Sequence, residues 1–534
     1  MAREKSDSLY QLVKSLSKNE KRYFRLFSSR SNTKAKKTLQ LFDTLNLQDE
    51  FDDQTIMDTN PDFNPSQLSN MKAELYKELL HALRLYHEGK NIGLKIRQHI
   101  DFAQVLTDRC LYKQANEQLK KAKKYAEKHN NLELLLEISR IEKGIISHLI
   151  DSNNEKRVNK IIAEVSNINE KINRVNQMTN LEARLNSLYK KVGFIRDRRD
   201  HDTFKQYFEK NLANINEKHL SPLEKMHLYN LYIGYYFFIQ DFEHGHQEAK
   251  KLVSLFDENP ELIVSKTDLY IQALNKLSIS ESKLSLYDEF VETVRKLQDI
   301  PKVPGIVLND DIRARLYKYY YLHEINRFFM LGEFKAGVKM VSYLTDELDN
   351  FIDRLDQHAQ IIFYYKIACM YFGDGNYKQT LVWLNKIINQ PDVDIRRDIH
   401  CFARILNLVT HFEIGNMDVI DYYIRSTYRF LSKKYDLRLF QKYILSFLRN
   451  VNKGQTSGEL RKEFEKLHSQ LLTLQNKPYE RRAFIYFDII SWLESKTENR
   501  TVGEIIREKA LQRIKSKTEF TVPENPQDMA LHHQ

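Results

Sequence analysis

Four kinds of group in this chain carry the side chains that chemistry uses. Gly373-Asp374-Gly375 is the nearest approach to a phosphate-cradling loop, but no Lys-Ser/Thr follows it. Its place between two apolar-periodic segments reads as a helix-ending turn. Glu243-His244-Gly245-His246 brings two imidazoles together in sequence. Side chains two apart on a helix point to different faces, so they do not form a metal site. The acidic pairs Asp52-Asp53 and Asp310-Asp311 stand at helix starts, where negative charge suits the helix dipole. Cys110, Cys369 and Cys401 lie in helical patterns without CxxC spacing. They are read as small buried residues of a reducing compartment, not as a disulfide framework or a zinc site. His532-His533 near the end has no companion group. Nothing along the chain assembles a nucleophile, a base and an oxyanion donor. The expectation is therefore no enzyme, no catalytic residue, no cofactor and no metal.

The other charged chemistry is electrostatic. The chain of 534 residues has 83 Lys and Arg against 72 Asp and Glu, a net charge of +11. That charge is unevenly placed. Residues 1–40 hold 11 basic and 3 acidic residues, a net of +8, and residues 41–90 hold 4 and 10, a net of −6. Ser17-Lys18-Asn19-Glu20 is a capping box. The helix it opens sets Lys18, Lys21, Arg22 and Arg25 against an apolar side of Tyr23, Phe24 and Phe27. Lys34, Lys36 and Lys37 begin the next helix, which runs to about Leu45, and a short helix is expected from Asp52 to Met57. Asn64-Pro65 starts another, with Leu68, Met71, Leu75, Leu79, Ala82, Leu83 and Tyr86 on one stripe. Such a basic helical module either seals the first element of a larger stack or contacts nucleic acid through Lys18, Lys21, Arg22, Arg25, Lys34, Lys36 and Lys37.

The elements that must position all this are helices. Only 15 Gly and 10 Pro interrupt the chain, while 30 Tyr and 29 Phe supply interlocking apolar area. No stretch sustains strand alternation. Turn signals recur about every 40 to 50 residues, at Leu111-Tyr112, Asn153-Asn154, Asp200-His201, Asp241-Phe242, Ser282-Lys283, Gly332-Glu333, Gly375-Asn376 and Gly415-Asn416. Each separates two amphipathic segments that cannot bury their stripes alone but can do so stacked. The clearest unit has Tyr364, Ile367, Ala368 and Tyr371, then Tyr377, Thr380, Leu384 and Ile387. A second has Phe102, Ala103 and Leu106, then Tyr112, Ala115, Leu119 and Ala122. Others use Tyr232, Ile233, Tyr236, Phe242, Gly245 and Ala249, or Phe328, Gly332, Phe334 and Gly337. Small residues at paired positions let helix backbones cross closely. The unit around Gly415 instead places Leu408 and Ile420 there.

These units resemble tetratricopeptide repeats, over about residues 95 to 435 and with a period longer than the family's ~34 residues. The resemblance implies an all-α, right-handed α-solenoid of stacked antiparallel helix pairs. A small N-terminal helical module occupies 1–90, the repeats 91–435, and a C-terminal helical cap 436–516. That cap contains the linker-like Asn452 to Gly458 and a capping box at Thr501-Val502-Gly503-Glu504 opening a helix to about Lys515. The tail, 517–534, with Pro523 and Pro526, is expected to be disordered.

In such stacks the first helix of each pair lines the groove. Asn230, Phe237, Tyr319, Asn326, Phe329, Tyr365 and Phe372 then form a partner-binding surface, with Phe238, Phe402 and Phe412 beside them. Amides among rings suit an extended peptide backbone, although the same stripes would also serve as core. The expected function is a non-enzymatic scaffold or adaptor for a protein or peptide partner. The alternative is a nucleic-acid-binding regulator with the stack as sensor or dimeriser, which adds self-association. The N-terminus has no apolar signal region and no apolar run reaches 18 residues, so no membrane insertion and a cytoplasmic location are expected.

Overall fold

The computed structural model describes residues 8–29, 34–89, 91–148, 154–195, 198–213, 215–306, 308–342, 355–390, 395–434, 438–451, 455–477, 480 and 483–521. Among the described residues all repeating structure is helical. The chain divides into two compact units, Met1–Ile172 and Asn173–Gln534. The division falls inside one long helix, α9.

The first unit contains α1 (Ser8–Ser15), α2 (Lys18–Ser28), α3 (Lys34–Leu47), α4 (Asp53–Thr59), α5 (Leu68–Glu88), α6 (Ile92–Thr107), α7 (Tyr112–Lys128) and α8 (Leu132–Ile146), and the beginning of α9 (Asn154–Val192). Ser17 and Glu20 form the reciprocal cap, and Asn64 caps a single 3-10 turn at Pro65–Gln67 before α5. Phe24, Phe42, Leu75 and Leu79 meet in one core. Further along, α6 packs on α7 and α7 on α8, with Ala103 and Ala115 both fully buried.

In the second unit follow α10 (Arg198–Leu212), α11 (Pro222–Phe238), α12 (Phe242–Glu258), α13 (Pro260–Ser265), α14 (Thr267–Lys283), α15 (Tyr287–Asp299) and α16 (Asp310–Leu331). Then come α17 (334–342), α18 (Gln357–Gly373), α19 (Tyr377–Ile388), α20 (Arg397–Ile414), α21 (Met417–Lys434) and α22 (Leu439–Asn450). The last are α23 (Ser457–Gln475), α24 (Ala483–Tyr486), α25 (Ile489–Glu498) and α26 (Val502–Thr521). Helices pack on their neighbours in sequence: α11 on α12, α14 on α15, α18 on α19, α20 on α21 and α22 on α23. Alternate helices also touch, α12 with α14, α14 with α16, α16 with α18 and α18 with α20. Close approach needs small residues. A Cβ on Gly245 would meet the Phe237 ring at 2.7 Å, and one on Gly373 would run into Phe334.

One turn recurs in both units. A residue with positive φ follows the helix, and the next backbone N–H donates back to the carbonyl five residues earlier. Cys110, Asn130, Gln240, Ser285, Gly332, Gly375, Gly415 and Asn499 occupy the left-handed position. Their following amides, Leu111, Asn131, Asp241, Leu286, Glu333, Asn376, Asn416 and Arg500, make the return bond at 2.8–3.0 Å. This corrects several expectations. Cys110 is exposed, not buried, because its place in the turn faces it away from the helix pair. The chain does not turn at Asp200-His201, which lie in the first turn of α10, and it turns after α14 at Leu284–Leu286. Asn153 lies outside the described residues. Phe102 is 46% exposed, since only Ala103 beside it faces α7. The last helix runs to Thr521, beyond Lys515, and the remaining tail lies outside the described residues.

The C-terminal helices do more than cap. α26 packs against α16, and α24 against α20. A backbone approach seals the first contact: a Cβ on Gly332 would strike the Gly503 carbonyl oxygen.

Candidate functional site

Helices α9, α11, α14, α16 and α18 each turn one face toward a common cavity of about 620 Å³ within the second unit. The periodicity of its lining is helical. Asn275, Lys276, Ile279 and Lys283 come from α14, His323, Asn326 and Phe329 from α16, and Tyr365, Lys366, Cys369 and Phe372 from α18. The returning segment closes the cavity with Phe484, Ile485, Tyr486 and Phe487. Phe487 meets Phe372 edge-on at 5.1 Å, and Tyr486 stacks on Phe402 at 4.3 Å.

Amides of one inner helix hold cations of the next inner helix in place. Asn230 of α11 accepts from the Lys276 ammonium of α14. Asn326 of α16 accepts from the Lys366 ammonium of α18 at 2.5 Å. Between them, His323 pairs its Nε2 with Asn275 Oδ1 at 3.0 Å. Burial, helped by the charge of Lys366, pushes the His323 imidazole down to about 3, so it stays neutral. Burial pushes Lys366 down to about 8, with Cys369 opposing and Arg396 adding to the effect. Burial and then Lys366 push Lys283 down to about 7. Lys283 is itself exposed at the cavity wall, so water offsets part of this effect.

A second cation is satisfied. Arg396, 3% exposed, holds left-handed backbone angles and donates its amide to the Lys190 carbonyl at 3.0 Å. Its guanidinium makes a forked pair with Asp398, Nε to Oδ1 at 2.9 Å and Nη2 to Oδ2 at 2.7 Å. The Tyr486 hydroxyl also donates to Asp398. Burial alone would raise the Asp398 carboxyl, but Arg396 and these hydrogen bonds hold it below the usual range. Gly193 leaves the room: with φ at +74°, a side chain there would be strained and would overlap the Asp398 carboxylate. This network ties the end of α9 to α20 and to the returning segment.

Of the residues expected to bind a partner, Phe237, Asn326, Phe329, Tyr365 and Phe372 line this cavity. Asn230 stands one layer behind it and reaches it through Lys276. Tyr319 does not line it, and its ring faces the Lys318 ammonium at 4.9 Å. Phe412 lies in core with Phe447 and Trp492. Tyr365 and Phe372 are almost fully buried, so the stripe is both core and cavity wall. Sequence reasoning did not single out Lys276, Lys283, Arg396 or Tyr486 for this site. The available signal was an Asn on one inner helix and a Lys on the next, as in Asn230/Lys276 and Asn326/Lys366.

In the first unit, Lys18, Arg22, Arg25, Lys36 and Lys37 are exposed and Lys21 is half-buried. Arg25 bonds Asp43 at 2.7 Å, and Lys37 reaches the Asp62 carbonyl at 3.4 Å. The Lys34 side chain lies outside the described residues. His244 and His246 diverge, His244 to Asp241 and His246 to Ser280. Among the described residues no cluster of His, Cys, Asp and Glu is placed to hold a metal ion, and no helix is long and apolar enough to cross a membrane.

No protein-family model, curated protein or solved structure matches this chain.

Proposed function

We propose that the protein is a non-enzymatic binding protein, a right-handed solenoid of antiparallel, tetratricopeptide-like helix pairs that encloses its ligand. The ligand is a short peptide segment or a molecule of that size. One observation carries this reading: rings and amides from successive helices converge on a cavity that the chain's own C-terminal segment closes. At about 620 Å³ the cavity falls in the range of sites that bury most of a drug-sized ligand. The one buried thiol of the cavity does not suit covalent catalysis. Burial pushes the Cys369 thiol up to about 12, the reverse of what a nucleophile needs.

The test uses the half-buried wall residues Asn326 and Phe329, because truncating the buried Tyr365 would cost more core packing. Immobilised wild-type protein and the Asn326→Ala/Phe329→Ala variant are offered a random hexapeptide library. Wild type should enrich a defined set of sequences that the variant does not retain. Enrichment of the same peptides by both, or of none by either, overturns the peptide form of the reading.

A second reading, nucleic-acid binding by the N-terminal basic helices, is favoured by their crowding. Burial first, and then the charges of Lys14 and Arg25, lower the Lys21 pKa, and Lys18 and Arg22 stand exposed on the same helix.

A further inference from the structure

Two cations of the cavity, Lys283 and Lys366, have no carboxylate partner among the described residues. Lys366 bonds the Asn326 amide oxygen at 2.5 Å, and Lys283 bonds the Ile485 carbonyl at 3.3 Å. Both acceptors are neutral, and among the described residues neither ammonium has a carboxylate in ion-pair contact. Lys276 differs, with Glu182 at 3.9 Å. The carboxylate of the lining, Asp488, is engaged as a helix cap by the Ser491 amide at 3.0 Å and hydroxyl at 2.7 Å. Arg396 is neutralised by its forked pair with Asp398, which Tyr486 also bonds. Each ammonium has three donors, so Lys283 and Lys366 keep unused donors beside aromatic walls. Lys366 is half-buried, where a charge without a counter-ion is costly and an incoming anion removes that cost, and the exposed Lys283 offers a second ammonium at the same wall.

We propose that the cavity binds an amphipathic organic anion, a carboxylate or phosphate group on an apolar body, with Lys283 and Lys366 gripping the anionic group. The proposal rests on the cavity being a ligand site, as proposed above. The rings of Phe237, Phe329 and Phe372 cover the apolar body. The ammonium of Lys366 sits 5.5 Å from the Phe329 ring centroid, so anion and ring contacts are adjacent.

Two fluorescent probes separate the parts. The anion 8-anilinonaphthalene-1-sulfonate and the neutral N-phenyl-1-naphthylamine share an aromatic body and differ in the sulfonate. Wild type should bind the sulfonate saturably, one molecule per chain, and more tightly than the neutral probe. Lys283→Met/Lys366→Met should weaken sulfonate binding at least about tenfold, the scale of a lost charge-assisted hydrogen bond. It should leave the neutral probe within about twofold, which also shows that the cavity is intact. Equal binding of the two probes by wild type, or retained sulfonate affinity in the variant, overturns the proposal. If neither probe binds wild type, the ligand-site reading falls with it. Because the wild-type comparison stands alone, the test survives a variant that fails to fold. Displacement of the sulfonate by dodecanoate or by dodecyl phosphate distinguishes the two head groups, and equal displacement by dodecanol counts against both.

Discussion

Glu281 shows how one buried group makes stability depend on pH. It is 1% exposed in α14. The Thr293 hydroxyl donates to its Oε1 at 3.0 Å, and its Oε2 has no hydrogen-bond partner. Burial pushes its carboxyl up from 4.5 to about 7, against the pull of Thr293. Between those values the folded chain holds a proton that the unfolded chain has released. Stability is therefore lost as pH rises through that window, by at most about 3 kcal/mol. Glu281→Gln cannot ionise and should not show this loss. Melting curves from pH 4.5 to 7 should find wild type losing stability relative to the variant. Parallel pH profiles would show that Glu281 is already satisfied or already charged.

At the scale of elements, the register of α18 against α19 decides which residues are wall and which are core. Ala368 and Thr380 are both fully buried, where the two helices pack. Lys366, two residues earlier, instead turns its ammonium to Asn326 and the cavity. Ala368→Leu should destabilise by about 1–3 kcal/mol through overpacking. Lys366→Leu should cost less, because it replaces an unbalanced enclosed charge with apolar volume. Thermal melts of the two variants test this, and a more damaging Lys366→Leu would mean that the register is shifted. The recurring turn shows how much of an element is legible beforehand. Gly332, Gly375 and Gly415 announced it, since glycine favours positive φ. Asn130 and Asn499 carry the weaker signal of asparagine, and Cys110, Gln240 and Ser285 make the same turn without either.

At the scale of the molecule, charge is segregated along the chain but partly rejoined by folding. Residues 1–40 carry a net of +8 and residues 41–90 a net of −6, and Arg25 with Asp43 bridges the two. That exposed pair contributes little, about 0.2–1 kcal/mol, so the basic face remains available to phosphates. If it binds nucleic acid, mobility shifts should weaken steeply between low and moderate salt as counterions compete. Lys21→Glu/Arg22→Glu/Arg25→Glu should then bind at least about tenfold more weakly. Equal binding by wild type and variant, or no shift by wild type, removes the nucleic-acid reading.

Helical content, the small-residue crossings such as Ala103 with Ala115, and the capping boxes at Ser17 and Thr501 were all determined by local sequence. They depend on spacings of three and four residues, which a chain carries wherever it folds. The cavity was not legible in that way. Aromatic stripes on α11, α16 and α18 suit a core or a wall equally, because periodicity records that a face is covered and not by what. Only tertiary structure decided it, by bringing α24 to α26 back against α16 and α20. That return set Tyr486 on Asp398 and Ile485 on Lys283. Partners about 90 and 200 positions apart in sequence leave no periodic trace, so the balance of charge inside the cavity is a property of the fold alone.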